Sequence, residues 1–297
     1  MKIDQLTPII MGEVLLDVFP GKKGVLGGAP FNAACHLKGL GLQPLFLSRI
    51  GKDPEGKSVI DRMSQWEIGT QSVEIDESHP TGTVQVQLED GQPSYDIIPD
   101  QAYDFIDGSG LETLNIGNAG LVYCGSLVLR SESPFSTLQS ILKTTDLPLF
   151  VDLNLRPPWY SKETIKYLLD AATWLKVNDE ELSAVLKGRE IKPEEFLTEG
   201  PSICRRLGLE RLIVTYGAQG AAAADRKEAF FCPPEIPGEI ANTVGAGDSM
   251  SAMMISGILR STSIKTSLEL GVRIASAVCT IESAVPQEPG EFYSDFI

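Results

Sequence analysis

The segment Asn242–Ser249 combines small residues with a carboxylate, just before a run of apolar residues. Gly245, Ala246 and Gly247 would let the backbone approach a ligand closely. The run that follows is compatible with a helix, whose N-terminus would present free amides and a positive dipole end to an anion. Asp248 in the first turn could take the proton from a hydroxyl that attacks phosphorus. An N-cap beside a tight turn would use the same residues.

Two segments nearer the N-terminus carry groups that could bind sugar hydroxyls. Gly27 and Gly28 lead into a predicted helix whose first turn holds the amide of Asn32. A flexible turn with Asn32 near a cap is the alternative. Glu13 and Asp17 lie on the first predicted strand and at its exit, and one or both could bind hydroxyls.

Polar residues also end a predicted buried strand at Asp152, Asn154 and Arg156. In a strand these three side chains share one face. Open α/β sheets bind ligands at the carboxyl ends of their strands, so a binding role is predicted. A solvent-facing edge strand is the alternative, which the apolar flank 149–151 disfavours.

Two later segments could contact a nucleotide. Asn178 and Glu181 have the spacing of a capping box, and the functional alternative puts Glu181 near metal-bound water and phosphates. Thr215 ends a predicted strand, and Gly217 and Gly220 form a turn whose backbone could hold an adenine nucleotide. An ordinary hairpin turn would have the same sequence.

Residues 51–58 fit the P-loop pattern G-x-x-x-x-G-K-[ST] between a predicted strand and helix. A P-loop wraps backbone amides around phosphates. Here Asp53 and Glu55 would place carboxylates in the loop, and Pro54 removes an amide donor. An ordinary turn between a strand and a helix is therefore favoured.

These residues need elements to position them, and strand-like and helix-like segments alternate along the chain. That rhythm predicts an α/β fold with a mainly parallel sheet flanked by helices. Residues 82–98 interrupt it with alternating apolar residues around the turn signal Asp90-Gly91, which predicts an antiparallel excursion that could be a lid. The predicted strands are 9–16, 44–50, 119–124, 148–155, 173–177, 212–216, 221–224 and 228–232, and the predicted helices are 30–40, 58–66 and 161–172, with others opening near 133, 178, 247 and 262.

Composition limits the partners. The net charge of −15 repels phosphate backbones, so nucleic acid is not expected as a partner, and an anion site must be built from amides and a metal ion. The odd number of five widely spaced cysteines predicts neither a disulfide framework nor a zinc site. No apolar run is long enough to span a membrane, and residues 1–3 open no signal peptide, so a cytoplasmic protein is expected.

The order of these segments resembles the PfkB (ribokinase-like) carbohydrate kinases over nearly the whole chain. The resemblance rests on Gly12-Glu13…Asp17, Gly-Gly-Ala-Pro-Phe-Asn, the 51–56 turn, Asp152-x-Asn154-x-Arg156, Asn178-x-x-Glu181, Thr215-x-Gly217-x-x-Gly220 and Gly-Ala-Gly-Asp248. The Gly-Ala-Pro-Phe-Asn form is most similar to fructokinases. The resemblance to the family implies one ribokinase-like domain over 1–297, with a small antiparallel β lid formed by about 13–26 and 82–103.

The resemblance also implies roles for the residues. Asp248 would be the general base, and the amides of Gly245, Ala246 and Gly247 would form an anion hole for the transferring phosphate. The sugar would contact Asp17, Gly28, Asn32 and Arg156. ATP and Mg²⁺ would lie near Asn178, Glu181, Thr215, Gly217 and Gly220, with Glu181 acting on the metal through water.

One position departs from the family pattern, because Asn242 stands where an aspartate is usual. In relatives that aspartate helps form a monovalent-cation site beside the anion hole. Asparagine keeps an oxygen ligand but loses the charge, so potassium binding should weaken or vanish.

The resemblance implies ATP-dependent phosphorylation of D-fructose to fructose 6-phosphate. Alternatives are a kinase for 2-keto-3-deoxygluconate, ribose or a nucleoside, and a non-catalytic sugar-binding protein on the same fold. A small-molecule sugar is the expected partner, and a homodimer through the β lid is possible in this family.

Overall fold

The computed structural model describes residues 6–18, 21, 24–89, 92–112, 116–235 and 238–297, with the backbone alone at 86–89, 92–95 and 112. Its strands are β1 Thr7–Met11, β2 Leu15–Val18, β3 Val25–Gly27, β4 Leu45–Gly51, β5 Val73–Asp76, β6 Gly82–Glu89, β7 Gln92–Ile97, β8 Ala119–Gly125, β9 Leu149–Asp152, β10 Ala172–Asn178, β11 Arg211–Thr215, β12 Ala221–Asp225 and β13 Ala229–Cys232. Its α-helices are α1 Ala29–Gly39, α2 Pro54–Gln65, α3 Ser109–Glu112, α4 Glu132–Thr145, α5 Lys162–Ala171, α6 Asp179–Val185, α7 Pro193–Leu207, α8 Ala246–Leu259 and α9 Ile264–Val278. Short 3₁₀ helices lie at Ala102–Phe105, Leu127–Arg130, Gly217–Gln219 and Glu291–Phe296.

The larger sheet has the strand order β13-β12-β11-β10-β9-β8-β1-β4-β5. All neighbours from β11 to β5 run parallel, while β12 and β13 add antiparallel strands at one edge. Successive side chains point to opposite faces of a strand, so a buried parallel strand is apolar on both. Ile10 and Tyr123 belong to the core under one face, and Ile9 and Val122 to the core under the other.

The smaller sheet has the order β3-β2-β6-β7. Its two hairpin pairs are antiparallel, and β2 and β6 pair in parallel. The predicted α/β fold, with a mainly parallel sheet and a small antiparallel one, is confirmed. The predicted turn at 90–91 lies outside the described residues.

Two predicted strands have different ends in the structure. The predicted strand 9–16 is two strands, because residues 12–14 carry the chain from the larger sheet to the smaller one. A side chain at Gly12 would come within 2.2 Å of the Pro30 ring, so this crossing requires glycine. The predicted strand 148–155 ends at Asp152.

Among the described residues, no helix is both long and apolar enough to cross a membrane, and all five cysteines are free.

Candidate functional site

Three neighbouring parallel strands end with polar residues at one edge of the larger sheet. β9 ends at Asp152, β10 at Asn178 and β11 at Thr215, and Asn178 lies opposite Thr215 in the strand register. The carboxyl edge of an open parallel sheet is the usual place for a ligand. The N-termini of α1 and α8 meet at this site, where Asn32 of α1 contacts Asp248 of α8.

Asp248 is held by a residue from the other half of the chain. The Asn32 amide nitrogen donates to Oδ2 of Asp248 at 2.8 Å, across 216 positions of sequence. Burial raises the pKa of Asp248 to about 6, and Asp152 adds to the rise, while the Asn32 hydrogen bond, Lys176 and Arg156 oppose it. Asp248 is therefore ionised at neutral pH with a basicity above that of an ordinary aspartate, which suits a general base.

The backbone before Asp248 has a conformation that requires glycine. Gly245 precedes α8 with φ of +84°, and a Cβ there would come within 2.3 Å of the Ala284 carbonyl oxygen. The first amides of a helix have no partner within the helix. At Gly245, Ala246 and Gly247 they follow one another directly before and in the first turn of α8, which is a suitable place for an anion. The Ala246 N–H makes a long hydrogen bond of 3.4 Å to the Thr243 carbonyl, which an anion would have to displace.

A buried ion pair that the sequence analysis did not assign lies beneath this turn. Lys176 Nζ contacts both carboxylate oxygens of Asp152, at 2.9 and 3.0 Å, and the Ser251 hydroxyl donates to Asp152 at 2.6 Å. The pair joins β10 and β9 to α8. A Cβ at Gly247 would lie 3.4 Å from Lys176 Nζ, so the positive charge lies close to the first turn. The one available signal was a lysine inside the buried, apolar strand β10.

Around the site, three buried polar atoms have no hydrogen-bond partner among the residues that the structure describes. They are Glu13 Oε2, Asn32 Oδ1 and the Tyr123 hydroxyl. Burial raises the pKa of Glu13 to about 7, and Asp248 adds to the rise. Buried polar groups normally have partners, so unpaired ones at a cleft suit the hydroxyls of a ligand. Tyr123 was missed, because a tyrosine in a buried strand looks like core.

Arg156 and Asn154 do not lie on a strand with Asp152, and the prediction that the three share a strand face is wrong. Asn154 has φ of +40°, and the next amide, Leu155 N–H, donates to Glu181 Oε1 at 2.7 Å. The Glu181 carboxylate thus holds the chain away from the strand direction. Arg156 is exposed, and its charge lowers the pKa values of both Glu13 and Asp248.

Asp17 and Gly28 lie where the smaller sheet meets α1. Gly28 precedes α1 with φ of +105°, and a Cβ there would be 2.7 Å from the Glu13 carbonyl oxygen. Asp17 is on β2, half-buried, and its carboxylate faces Gly27, where a Cβ would be 3.1 Å from Oδ2. Burial raises the pKa of Asp17. Asp17 lies on the smaller sheet, whereas Asp248 lies in the first turn of α8.

The predicted capping box at Asn178 and Glu181 is present. The Asn178 side chain accepts from Glu181 N–H at 2.7 Å, and Glu181 Oε2 accepts from Asn178 N–H at 2.9 Å. Both Glu181 oxygens therefore have a backbone donor, and burial raises the pKa of the carboxyl. Each oxygen keeps a further lone pair, which could accept a hydrogen bond from a metal-bound water. Among the described residues, no group of three or more His, Cys, Asp or Glu could hold a metal directly.

The segment Thr215–Gly220 turns tightly between β11 and β12. Gly217 has φ of +55° with open space beside it, and Gly220 has φ of +108° with the Cys232 carbonyl 2.3 Å from any added Cβ. Open backbone at Gly217 can approach a planar ligand. The turn follows the strand that neighbours Asn178, so the predicted nucleotide residues lie side by side.

The P-loop match at 51–58 is a turn in which the Asp53 carboxylate accepts hydrogen bonds from the backbone. Asp53 caps α2 and accepts from Gly56 N–H at 2.7 Å, and it also accepts from the backbone and hydroxyl of Thr81. Lys57 pairs with Asp61 on the exposed side of α2. The Gly56 amide, which a phosphate would need, is therefore occupied by Asp53, in line with the favoured interpretation.

Both polar atoms of the Asn242 side chain form hydrogen bonds within the protein. Oδ1 accepts from Val244 N–H at 2.7 Å, and Nδ2 donates to the Ile281 carbonyl at 2.6 Å. A monovalent cation would need oxygen ligands facing it. Here an N–H donor faces the carbonyl instead, so the residues present do not fit the cation.

Comparison with known sequences finds sugar kinases. A sugar kinase of Pyrococcus horikoshii is 28% identical over 275 residues, covering 84% of this chain and 82% of the relative. A fructokinase of Klebsiella pneumoniae is 26% identical over 264 residues, covering 84% and 83%.

Solved structures share the fold at low identity. The fructokinase of Xylella fastidiosa with bound ATP matches with a TM-score of 0.83 at 18% identity, over 97% of this chain and 98% of that one. A double mutant of the Vibrio cholerae fructokinase with fructose, ADP and potassium ion matches with a TM-score of 0.79 at 19% identity, over 98% of each chain. The 2-dehydro-3-deoxygluconokinase of Thermotoga maritima matches with a TM-score of 0.81 at 18% identity, also over 98% of each.

The family model described as "pfkB family carbohydrate kinase" matches residues 21–289, which is most of the chain. The predicted resemblance is thereby confirmed. This chain belongs to the pfkB family of carbohydrate kinases.

Proposed function

We propose that the protein transfers the γ-phosphoryl group of ATP to the primary hydroxyl of D-fructose, giving fructose 6-phosphate and ADP. The observation that carries the proposal is the Asp248 carboxylate at the N-terminus of α8, oriented by Asn32 and basic enough to accept a proton. Relatives named fructokinase support the choice of sugar.

In this proposal Asp248 accepts the proton as the sugar oxygen bonds to phosphorus and the bond to the ADP oxygen breaks. The amides of Gly245, Ala246 and Gly247 stabilise the charge on the transferring group, since catalysis of phosphoryl transfer is mostly positioning and charge stabilisation. Lys176, close to Gly247, adds a fixed positive charge beneath the same turn.

The remaining predicted residues divide between the two substrates. Asp17, Gly28, Asn32 and Arg156 contact the sugar. Asn178, Thr215, Gly217 and Gly220 hold the nucleotide at the ends of β10 and β11. Glu181 would hold Mg²⁺ through water, and that ion would neutralise charge on the phosphates.

Replacement of Asp248 by asparagine tests the mechanism. Asp248→Asn should lower kcat by about 10²–10⁴-fold, because the base is lost while the shape remains. Wild-type kcat/KM should fall as the pH drops below about 6, where Asp248 takes up a proton. A coupled ADP assay measures both, and circular dichroism checks the fold of the variant. Near-normal turnover by Asp248→Asn would exclude the mechanism.

One observation favours a second candidate, which is a kinase for an acidic sugar such as 2-keto-3-deoxygluconate. Arg156 is exposed, and its described side-chain hydrogen bond goes only to the neighbouring Leu155 carbonyl, which leaves it able to bind a carboxylate. A panel of fructose, 2-keto-3-deoxygluconate, ribose and a nucleoside in the same assay decides between them. A non-catalytic protein would bind sugar in calorimetry yet release no ADP with any acceptor.

A further inference from the structure

The backbone segment 281–285 lies directly behind the predicted anion hole. The Ala284 carbonyl oxygen is the atom that a side chain at Gly245 would strike, at 2.3 Å. Three carbonyls of this segment accept hydrogen bonds from protein side chains. Ile281 accepts from Asn242 at 2.6 Å, Ala284 is 3.0 Å from His36 Nε2, and Val285 accepts from Ser283 at 2.6 Å.

The orientation of the Asn242 amide is fixed by its partners. Val244 N–H can only donate and the Ile281 carbonyl can only accept, so Oδ1 must face the first and Nδ2 the second. An aspartate here would put a carboxylate oxygen about 2.6 Å from the Ile281 carbonyl oxygen. Two acceptors in contact would need a proton or a cation between them. The Asn242 amide, or a cation bound between two oxygens, would thus each link residue 242 to the Ile281 carbonyl.

His36 supplies a second neutral donor. The Ala284 carbonyl can only accept, so Nε2 carries a proton, and Nδ1 then accepts from the Tyr293 hydroxyl at 2.8 Å. The ring is fully buried, and burial lowers its pKa to about 4, so it is neutral at physiological pH. His36 lies one turn after Asn32 on α1, so α1 holds both Asp248 and the segment behind Gly245.

We propose that Asn242 and His36 are positioning residues, so that phosphoryl transfer by this chain requires no monovalent cation. The neutral N–H group of Asn242 joins segment 281–285 to the turn before α8, and that of His36 joins the same segment to α1. The proposal rests on the proposed function for its activity measurement. Its stability measurement needs no substrate and is independent of that function.

The activity measurement compares potassium chloride with tetramethylammonium chloride at the same ionic strength of about 0.1 M, which keeps charge screening equal. Wild-type kcat should differ by less than about twofold between the two salts, since no site selects potassium. Asn242→Asp should lose about tenfold or more of its kcat in tetramethylammonium and regain most of it in potassium, with KM for the sugar changing little.

The stability measurement is thermal unfolding of the ligand-free protein in the same two salts. The wild type should melt at the same temperature in both, while Asn242→Asp should melt several degrees lower in tetramethylammonium than in potassium. Asn242→Ala is the matched control, because it removes the amide without adding a carboxylate. Potassium should not raise the melting temperature of this variant.

Potassium-dependent activation or stabilisation of the wild type would overturn the proposal. So would an Asn242→Asp variant as active and as stable in tetramethylammonium as the wild type. If the wild type phosphorylates no acceptor, the proposed function fails, and the melting temperatures alone still decide the role of Asn242.

Discussion

At the scale of single residues, the site contains more carboxyl groups than one base requires. Burial raises the pKa values of both Asp248 and Glu13, and the charge of Asp248 adds to the rise at Glu13. A shared pocket of this kind costs stability when both are ionised, and ligand hydroxyls would compensate by donating to the unpaired Glu13 oxygen.

The Glu13 carboxyl gives a prediction about stability and pH. Its pKa rises from 4.5 to about 7 on folding, so the unfolded chain loses its proton first as the pH rises. Stability therefore falls across that window and stays lower above pH 7. Glu13→Gln cannot ionise, so it should raise the free energy of unfolding at pH 8 by about 1–3 kcal/mol and leave it nearly unchanged at pH 4.

Urea denaturation of the ligand-free protein at the two pH values measures this change. Glu288→Gln, which alters an exposed carboxyl without described partners, is the matched control and should be as stable as the wild type at both pH values. A Glu13→Gln variant that is less stable than the wild type at pH 8 would contradict the argument.

At the scale of elements, α8 depends on the glycine before it, because Gly245 combines a left-handed conformation with close contact to Ala284. Gly245→Ala should displace the first turn of α8 and lower kcat by about 10²-fold or more, as expected when charge-stabilising amides are misplaced. Gly208→Ala is the matched control. Gly208 ends α7 with φ of +76° and has open space beside it, so the change should cost about 1 kcal/mol of stability and leave kcat unchanged.

Steady-state kinetics of the two alanine variants, each above its KM for both substrates, separate the effects. Equal losses of kcat in both variants would show that backbone strain, and not the position of the proposed anion hole, explains the result.

Much of this arrangement could be predicted from sequence, because local residue patterns predict the helices and strands. A parallel sheet then brings the carboxyl ends of its strands to one edge. Gly28 and Gly245 were placed before helices, and Asn178 was placed in its capping box, from local patterns alone. The ion pair of Lys176 with Asp152 could not be found, since its partners are 24 positions apart and depend on strand register. The end of β9 at Asp152 was missed because the chain after it is held by a distant residue, with Leu155 N–H donating to Glu181.

At the scale of the whole molecule, the groups proposed to bind sugar come from both sheets. Asp17 lies on the smaller sheet, while Asn32 and Asp248 lie on helices packed with the larger one. The crossing at residues 12–14 connects the two, and it carries the buried Glu13. Sugar binding should therefore stabilise the two sheets as one unit.

D-fructose at about 100 times its Kd should raise the free energy of unfolding by about 2.7 kcal/mol, and the melting temperature by about 5 °C. Asp17→Asn should lose most of this shift, because the carboxylate on the smaller sheet no longer accepts from the sugar. Differential scanning calorimetry measures both proteins. A full shift in Asp17→Asn would remove Asp17 from the sugar site.

The buried Tyr293 has a consequence for how the protein is made. Its hydroxyl bonds His36, which holds the segment behind Gly245, and its ring lies against Gly39 and Trp66. Chains emerge from the ribosome N-terminal end first. A nascent polypeptide that already contains Asn32 and Asp248 would thus still lack the contact that fixes the segment behind its proposed anion hole. Completion of the site would wait for translation to reach residue 293.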